Sequence, residues 1–155
     1  MKNVLILTTA LDKNAASVAA GVSSMLRGRG IQTYFPAEDL ARLNALGESQ
    51  GLLEYQNQQI DMAIVLGGDG TILRAAEVLW EKPAPILGVN LGHVGFMAEA
   101  EKSDLEKTLD LVLAGKYSIR ERTTLNVSVV QDGKEVFSSW ALNEVALEKS
   151  ARERM

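Results

Sequence analysis

Val4-Leu5-Ile6-Leu7, Met62-Ala63-Ile64-Val65-Leu66 and Ile86-Leu87-Gly88-Val89 are short apolar runs, each with a polar or glycine-rich stretch directly behind it. Runs of this length are strand-sized. Because they do not alternate, neither side of the strand can face water. A strand buried on both faces belongs to a parallel sheet with helices packed against it. The intervening segments agree. Ala15, Val18, Ala19, Val22, Met25 and Leu26 recur at helical spacing, with Asn14 as the expected N-cap and Gly28 and Gly30 closing the helix. Ile31 to Phe35 then reads as a strand stopped by Pro36. Strand, helix, strand is the βαβ unit of a parallel sheet.

From Ala37 to Gln59 the pattern weakens. Leu40, Leu43 and Leu46 suggest a short helix, but Gly47, Gly51 and the polar run Gln56 to Gln59 predict a mobile surface excursion. Past the Met62–Leu66 run, a helix is expected from about Thr71, with Ile72, Ala75, Ala76, Leu79 and Trp80 as its apolar stripe. Ser103 and Glu106 form a capping box before a helix whose face is Leu105, Leu109, Val112 and Leu113, and Gly115 is its expected C-terminal cap. Near Arg120 the period changes. Leu125, Val127 and Val129 alternate with Thr124, Asn126 and Ser128, Asp132-Gly133 reads as a two-residue hairpin turn, and Val136 to Leu147 as the returning strand. The expected architecture is α/β: a Rossmann-like parallel sheet with helices on both faces over residues 1–119, then the start of an antiparallel β domain over residues 120–155. A lone hairpin is marginal in water, so the second part is expected to begin something larger.

Composition narrows the function classes. Of 155 residues, 46% are hydrophobic and 23% charged, an ordinary globular balance. Sixteen Lys and Arg against twenty Asp and Glu leave a net charge of −4, which argues against a nucleic-acid binder needing a basic face. Cysteine is absent, which excludes disulfides, thiolate nucleophiles and thiolate metal sites. The apolar runs fall far short of the ~20 residues that span a bilayer. Nor does Met1-Lys2-Asn3 followed by Val4 to Leu7 make a signal peptide. A soluble, cytoplasmic protein is expected.

The chemistry concentrates in glycine loops. Gly67-Gly68-Asp69-Gly70 follows a buried strand and opens a helix, at the sheet edge where open α/β proteins bind ligands. Glycines let the backbone approach a ligand, and the N–H groups opening the helix favour an anion such as phosphate. Asp69 can accept a proton, orient a hydroxyl or hold a divalent cation there. The other reading is a tight turn in which Asp69 merely caps the helix. Neither Gly-x-x-x-x-Gly-Lys-Ser/Thr nor Gly-x-Gly-x-x-Gly after the first strand is present, which disfavours P-loop NTPases and simple dehydrogenases. A second loop, Asn90-Leu91-Gly92-His93-Val94-Gly95-Phe96, also follows a strand, so two loops are expected to line one crevice. Asn90 offers a donor and an acceptor. His93 reads as a solvated side chain and Phe96 as a core anchor. Asn143-Glu144 lies in an otherwise apolar run, Ala141 to Leu147, where the pair either grips ribose hydroxyls or a base edge, or forms an exposed strand face. Arg74, one turn into the helix, either neutralises phosphate or is a surface arginine.

Gly67-Gly68-Asp69-Gly70-Thr71, then Asn90-x-Gly92-x-x-Gly95-Phe96, then Leu142-Asn143-Glu144-Val145 resembles the bacterial NAD kinase family. The Gly-Gly-Asp-Gly element alone is shared with lipid kinases and phosphofructokinases; the other two, in that order, are what the NAD kinases carry. The resemblance implies phosphoryl transfer from ATP or polyphosphate to the adenosine ribose 2′-hydroxyl of NAD, giving NADP. It implies that Asp69 accepts or orients the hydroxyl proton, and that Gly70, Arg74, Asn143, Glu144 and, less directly, Arg154 lie against the dinucleotide. Mg²⁺ or Mn²⁺ on the donor phosphates, with no legible protein ligand, and a homodimer or homotetramer are also implied. Family members run to about twice this length, so the chain is expected to be a fragment with little or no kinase activity of its own. A lipid or sugar kinase, or a non-catalytic nucleotide-binding module, are the alternatives.

Overall fold

The computed structural model of the chain describes residues 1–9, 13–91, 100–101 and 104–147. The apolar runs become strands whose backbone groups are paired across a parallel sheet: β1 (Asn3–Thr8), β2 (Gln32–Phe35), β3 (Leu53–Glu54), β4 (Met62–Leu66), β5 (Ile86–Asn90) and β6 (Ala100–Glu101). Their spatial order is β3-β2-β1-β4-β5-β6, with every neighbouring pair parallel. This is a doubly wound order. The chain works outward from β1 in one direction, then returns and works outward from β4 in the other, so the switch point lies between β1 and β4.

Side chains alternate across the pleat and feed two cores. Val4 and Ile6 of β1, Ile64 and Leu66 of β4 and Val89 of β5 pack under α1 (Lys13–Gly28), α2 (Ala37–Ala45) and α4 (Leu105–Leu113), through Ala16, Ala19, Val22, Leu26, Leu43, Leu105 and Leu109. Leu5, Leu7, Ala63 and Val65 pack on the opposite face under α3 (Asp69–Val78), through Ile72, Ala75 and the adjoining Leu79. Each large side chain removed from water in these layers contributes about 1.5–3 kcal/mol. The α/β sheet with helices on both faces is thus the architecture expected from the sequence.

Several details differ from expectation. The short helix suggested by Leu40, Leu43 and Leu46 forms as α2, but residues 37–54 are not a surface excursion. Leu43 of α2 is fully buried, and β3 extends the sheet beyond β2. Gly47 ends α2 at φ +82°, donating to the Asn44 carbonyl while Glu48 N–H reaches back to Leu43, a left-handed cap that a Cβ would strain. Asn14 lies inside α1, which starts at Lys13. Trp80 follows α3 and is exposed rather than part of the stripe. Ser103 lies outside the described residues; Asp104 holds the N-cap position of α4. Gly115, at φ +69°, closes that helix as expected.

Cα packing separates two compact units, Met1–Ile119 and Arg120–Met155. Within the second, β7 (Leu125–Gln131) and β8 (Lys134–Ala141) form an antiparallel hairpin whose turn, Asp132 at φ 51° and Gly133 at φ 77°, has the two left-handed residues that suit a tight connection. A bulge interrupts the register between Val129 and Val130. The returning strand stops at Ala141 instead of continuing to Leu147. Among the described residues, no helix is long and apolar enough to cross a membrane.

Candidate functional site

The register brings the chemistry to one edge. Thr8 pairs with Leu66, and Leu66 with Val89, so β1, β4 and β5 end level with one another. Gly67 follows directly and donates its N–H to the Val89 carbonyl at 3.0 Å, which sets it beside Asn90. The first loop and the start of the second therefore share the carboxyl edge of the sheet. Gly92, His93, Gly95 and Phe96 lie outside the described residues.

The three glycines of the loop have different reasons to be glycine. Gly67 is buried, and a Cβ there would lie 2.7 Å from Thr71 Oγ1 and 3.2 Å from Thr9 Oγ1. Packing within the protein requires this one. At Gly68 and Gly70 an added Cβ would meet nothing within 4 Å among the described residues, and neither has a positive φ. Gly70 even sits in the first turn of α3, where glycine costs helix stability. What these two preserve is open backbone at the mouth of the switch point.

Gly68 is the N-cap of α3, with its carbonyl taking the Thr71 and Ile72 N–H groups. Asp69 is accordingly the first residue of the helix, one position after the N-cap. It stands half-buried at the N-terminal end of α3. Thr71 Oγ1 is buried with no hydrogen-bond partner among the described residues. Orphaned buried hydroxyls cost about 1–3 kcal/mol, which makes this a strained point of the loop.

Arg74 is neither a solvated surface residue nor an unpaired cation awaiting phosphate. From the second turn of α3 its Nη1 donates to Asp39 Oδ1 at 2.6 Å and its Nη2 to Asp39 Oδ2 at 2.7 Å. The same Nη2 donates to the Thr8 carbonyl at 3.1 Å. Asp39, in the first turn of α2, is fully buried and also accepts the Thr8 N–H at 2.9 Å. Glu38 and Arg42 lie at the rim, each within 4 Å of this pair. Two acids thus stand against two arginines beside the crevice. Asp39 was missed in the sequence because an acid in a first helical turn is ordinary, and nothing local announces a partner 35 residues away.

In the second unit, Asn143 and Glu144 follow the end of β8 and are exposed in irregular backbone, not held in a strand. Arg154 lies outside the described residues. Among the described residues no group of three or more histidine, aspartate or glutamate side chains is arranged to hold a metal ion.

The fold and site define a doubly wound α/β domain with an acid-bearing glycine loop at its switch point. Residues 4–117 match the family described as the ATP-NAD kinase N-terminal domain, and the chain belongs to that family. It is 48% identical over 139 residues to an NAD kinase of Leifsonia xyli, covering 89% of this chain and 44% of that protein. It is 41% identical over 155 residues to an NAD kinase of Corynebacterium diphtheriae, covering 96% and 49%. The chain thus spans about half the length of these curated relatives. Among solved structures, yeast NADH kinase complexed with NADH is similar at a TM-score of 0.74 and 19% identity, covering 92% of this chain and 47% of that one, a likeness of fold.

Proposed function

We propose that this chain carries the catalytic-loop half of an NAD kinase, which transfers a phosphoryl group from ATP or polyphosphate to the 2′-hydroxyl of the adenosine ribose of NAD. The observation that carries the reading is the acid-bearing loop at the switch point, with two glycines whose open side faces no part of the described protein. Asp69 accepts the hydroxyl proton as the ribose oxygen attacks the terminal phosphorus. The bond to the donor's leaving phosphate breaks, giving NADP and ADP when ATP is the donor. Open backbone at Gly68 and Gly70 lets phosphate oxygens approach the N–H groups that begin α3, with Gly67 and Thr71 shaping the turn beneath them. Arg74 serves as a fixed hydrogen-bond donor whose charge is already matched by Asp39. By the family resemblance, Asn90, Gly92, Gly95 and Phe96 belong to the nucleotide-binding set, and Asn143, Glu144 and Arg154 contact the dinucleotide.

The proposal extends, by the same resemblance, to a cytoplasmic homodimer or homotetramer. It is tested by incubating the gene product that contains this chain with terminally labelled ATP or labelled polyphosphate and a panel of acceptors: NAD, NADH, diacylglycerol and a hexose phosphate. Label appearing in NADP supports it. Label on the lipid or sugar alone, or tight NAD binding without product, overturns it.

A further inference from the structure

β1 and β2 do not end together. Their paired register stops at Leu5 opposite Tyr34, whereas β1 stays paired with β4 through Thr8 opposite Leu66. The last residues of β1 therefore overshoot β2 on that side. Buried backbone groups there need partners, because an unpaired buried amide costs as much as a lost hydrogen bond. They are supplied by side chains. The Thr8 N–H donates to Asp39 Oδ2, and the Thr8 carbonyl accepts from Arg74 Nη2, while Asp39 and Arg74 close the ring with two parallel bonds of their own. One ion pair thus takes the place of the missing strand residue. It joins the start of α2, the end of β1 and the second turn of α3 at the switch point.

A surface salt bridge would be worth little in such a place, but this one has Asp39 fully buried and only a quarter of the Arg74 side chain exposed. Its fork geometry fixes the plane of the guanidinium as well as its position. With Nη1 and Nη2 both engaged, Arg74 cannot swing out to collapse onto a passing phosphate. It can present only the remainder of a held group. α3 is the helix opened by Asp69 and Gly70, so the same clamp fixes where those residues stand relative to β1.

We propose that Asp39 is a positioning residue for acceptor recognition. By holding Arg74 against Thr8 it sets the place of the guanidinium and of α3 at the switch point, and it acts on the dinucleotide only through them. The inference rests on the kinase reading above.

The test uses the gene product that contains this chain, assayed for NADP formation well below its thermal midpoint, with Asp39→Asn, Asp39→Ala, Arg74→Ala, the double variant Asp39→Asn/Arg74→Ala, and Asp110→Asn, which breaks the exposed Arg29–Asp110 pair on α4, as a surface-charge control. Positioning lost by an ångström is worth roughly tenfold or more in function. The expected result is a KM for NAD raised about tenfold in Asp39→Asn and in Arg74→Ala, with kcat and the KM for ATP within about threefold of wild type. The double variant is expected to match Arg74→Ala alone, since the two residues act as one unit. Asp110→Asn is expected to leave all parameters unchanged. Should Asp39→Ala fail to fold, Asp39→Asn retains an acceptor for Arg74 and carries the test. An unchanged KM for NAD in Asp39→Asn, or a fall in kcat with KM intact, overturns the proposal while leaving the kinase reading standing. So does additivity in the double variant. A wild-type protein that makes no NADP overturns the kinase reading and this inference with it.

Discussion

Alanine at Gly67 and alanine at Gly70 should move stability in opposite directions, although only two residues separate them. At Gly70 the new methyl enters open space, the backbone needs no left-handed φ, and the residue stands in the first turn of α3. Alanine there removes part of glycine's excess unfolded-state entropy, a gain of about 0.5–1 kcal/mol. At Gly67 the methyl arrives 2.7 Å from Thr71 Oγ1 and 3.2 Å from both Thr71 Cβ and Thr9 Oγ1. Thr71 is buried and β-branched, so it has little room to yield, and overpacking of this kind costs about 1–3 kcal/mol. Equilibrium unfolding in urea, followed by circular dichroism, should resolve the free-energy difference of roughly 2 kcal/mol between the two variants as a separation of their midpoints at constant m-value. The functional effect should run the other way at Gly70: the methyl fills the space kept for a phosphate, so Gly70→Ala should be a more stable protein with weakened NADP formation. A destabilised Gly70→Ala would refute the open-backbone reading. A Gly70→Ala that is stabilised and fully active would show that no ligand uses the space.

Thr71→Val should stabilise the ligand-free protein by about 1 kcal/mol, because it replaces an orphaned buried hydroxyl with a methyl of similar shape; a lower thermal midpoint would mean the hydroxyl has a partner in solution. Asp61 is held below the usual carboxylate range, chiefly by the backbone N–H groups of Lys2 and Asn3 and less by nearby positive charge. A depressed carboxylate stabilises the fold above its unfolded pKa and loses that contribution as pH falls through its folded pKa. Asp61→Asn should therefore lower stability at pH 7 by less than about 1 kcal/mol, given the exposed position. The difference from wild type should close in a denaturation series as pH falls through the depressed folded pKa, and a gap that widened in acid would reverse the assignment.

Much of the sheet was legible because a strand buried on both faces has one signature, and β1, β4 and β5 carry it without polar interruption. The Asp132-Gly133 turn was legible for a similar reason: two adjacent left-handed residues admit few side chains. α2 was obscured by its own composition. Its buried positions include Asp39, a residue that reads as solvent-facing until Arg74 is brought against it by the β1–β4 pairing. The same non-local pairing overturned the reading of Arg74 as a solvated surface arginine. Ala141 to Leu147 misled in the opposite sense: its apolar side chains suit a strand, but strand pairing in the hairpin ends at Ala141 opposite Leu125. At the loop, sequence could not distinguish the glycine that packing demands, Gly67, from the two that leave backbone open, Gly68 and Gly70.

The proton-accepting role given to Asp69 is the centre of the account, and Asp69→Asn isolates it by removing the base while keeping the shape. NADP formation by the gene product containing this chain is to be measured beside calorimetric titration with NAD. The expected result is a kcat lowered by about 10²–10⁴ with NAD affinity within a few-fold of wild type. Near-normal turnover with intact NAD binding would contradict it.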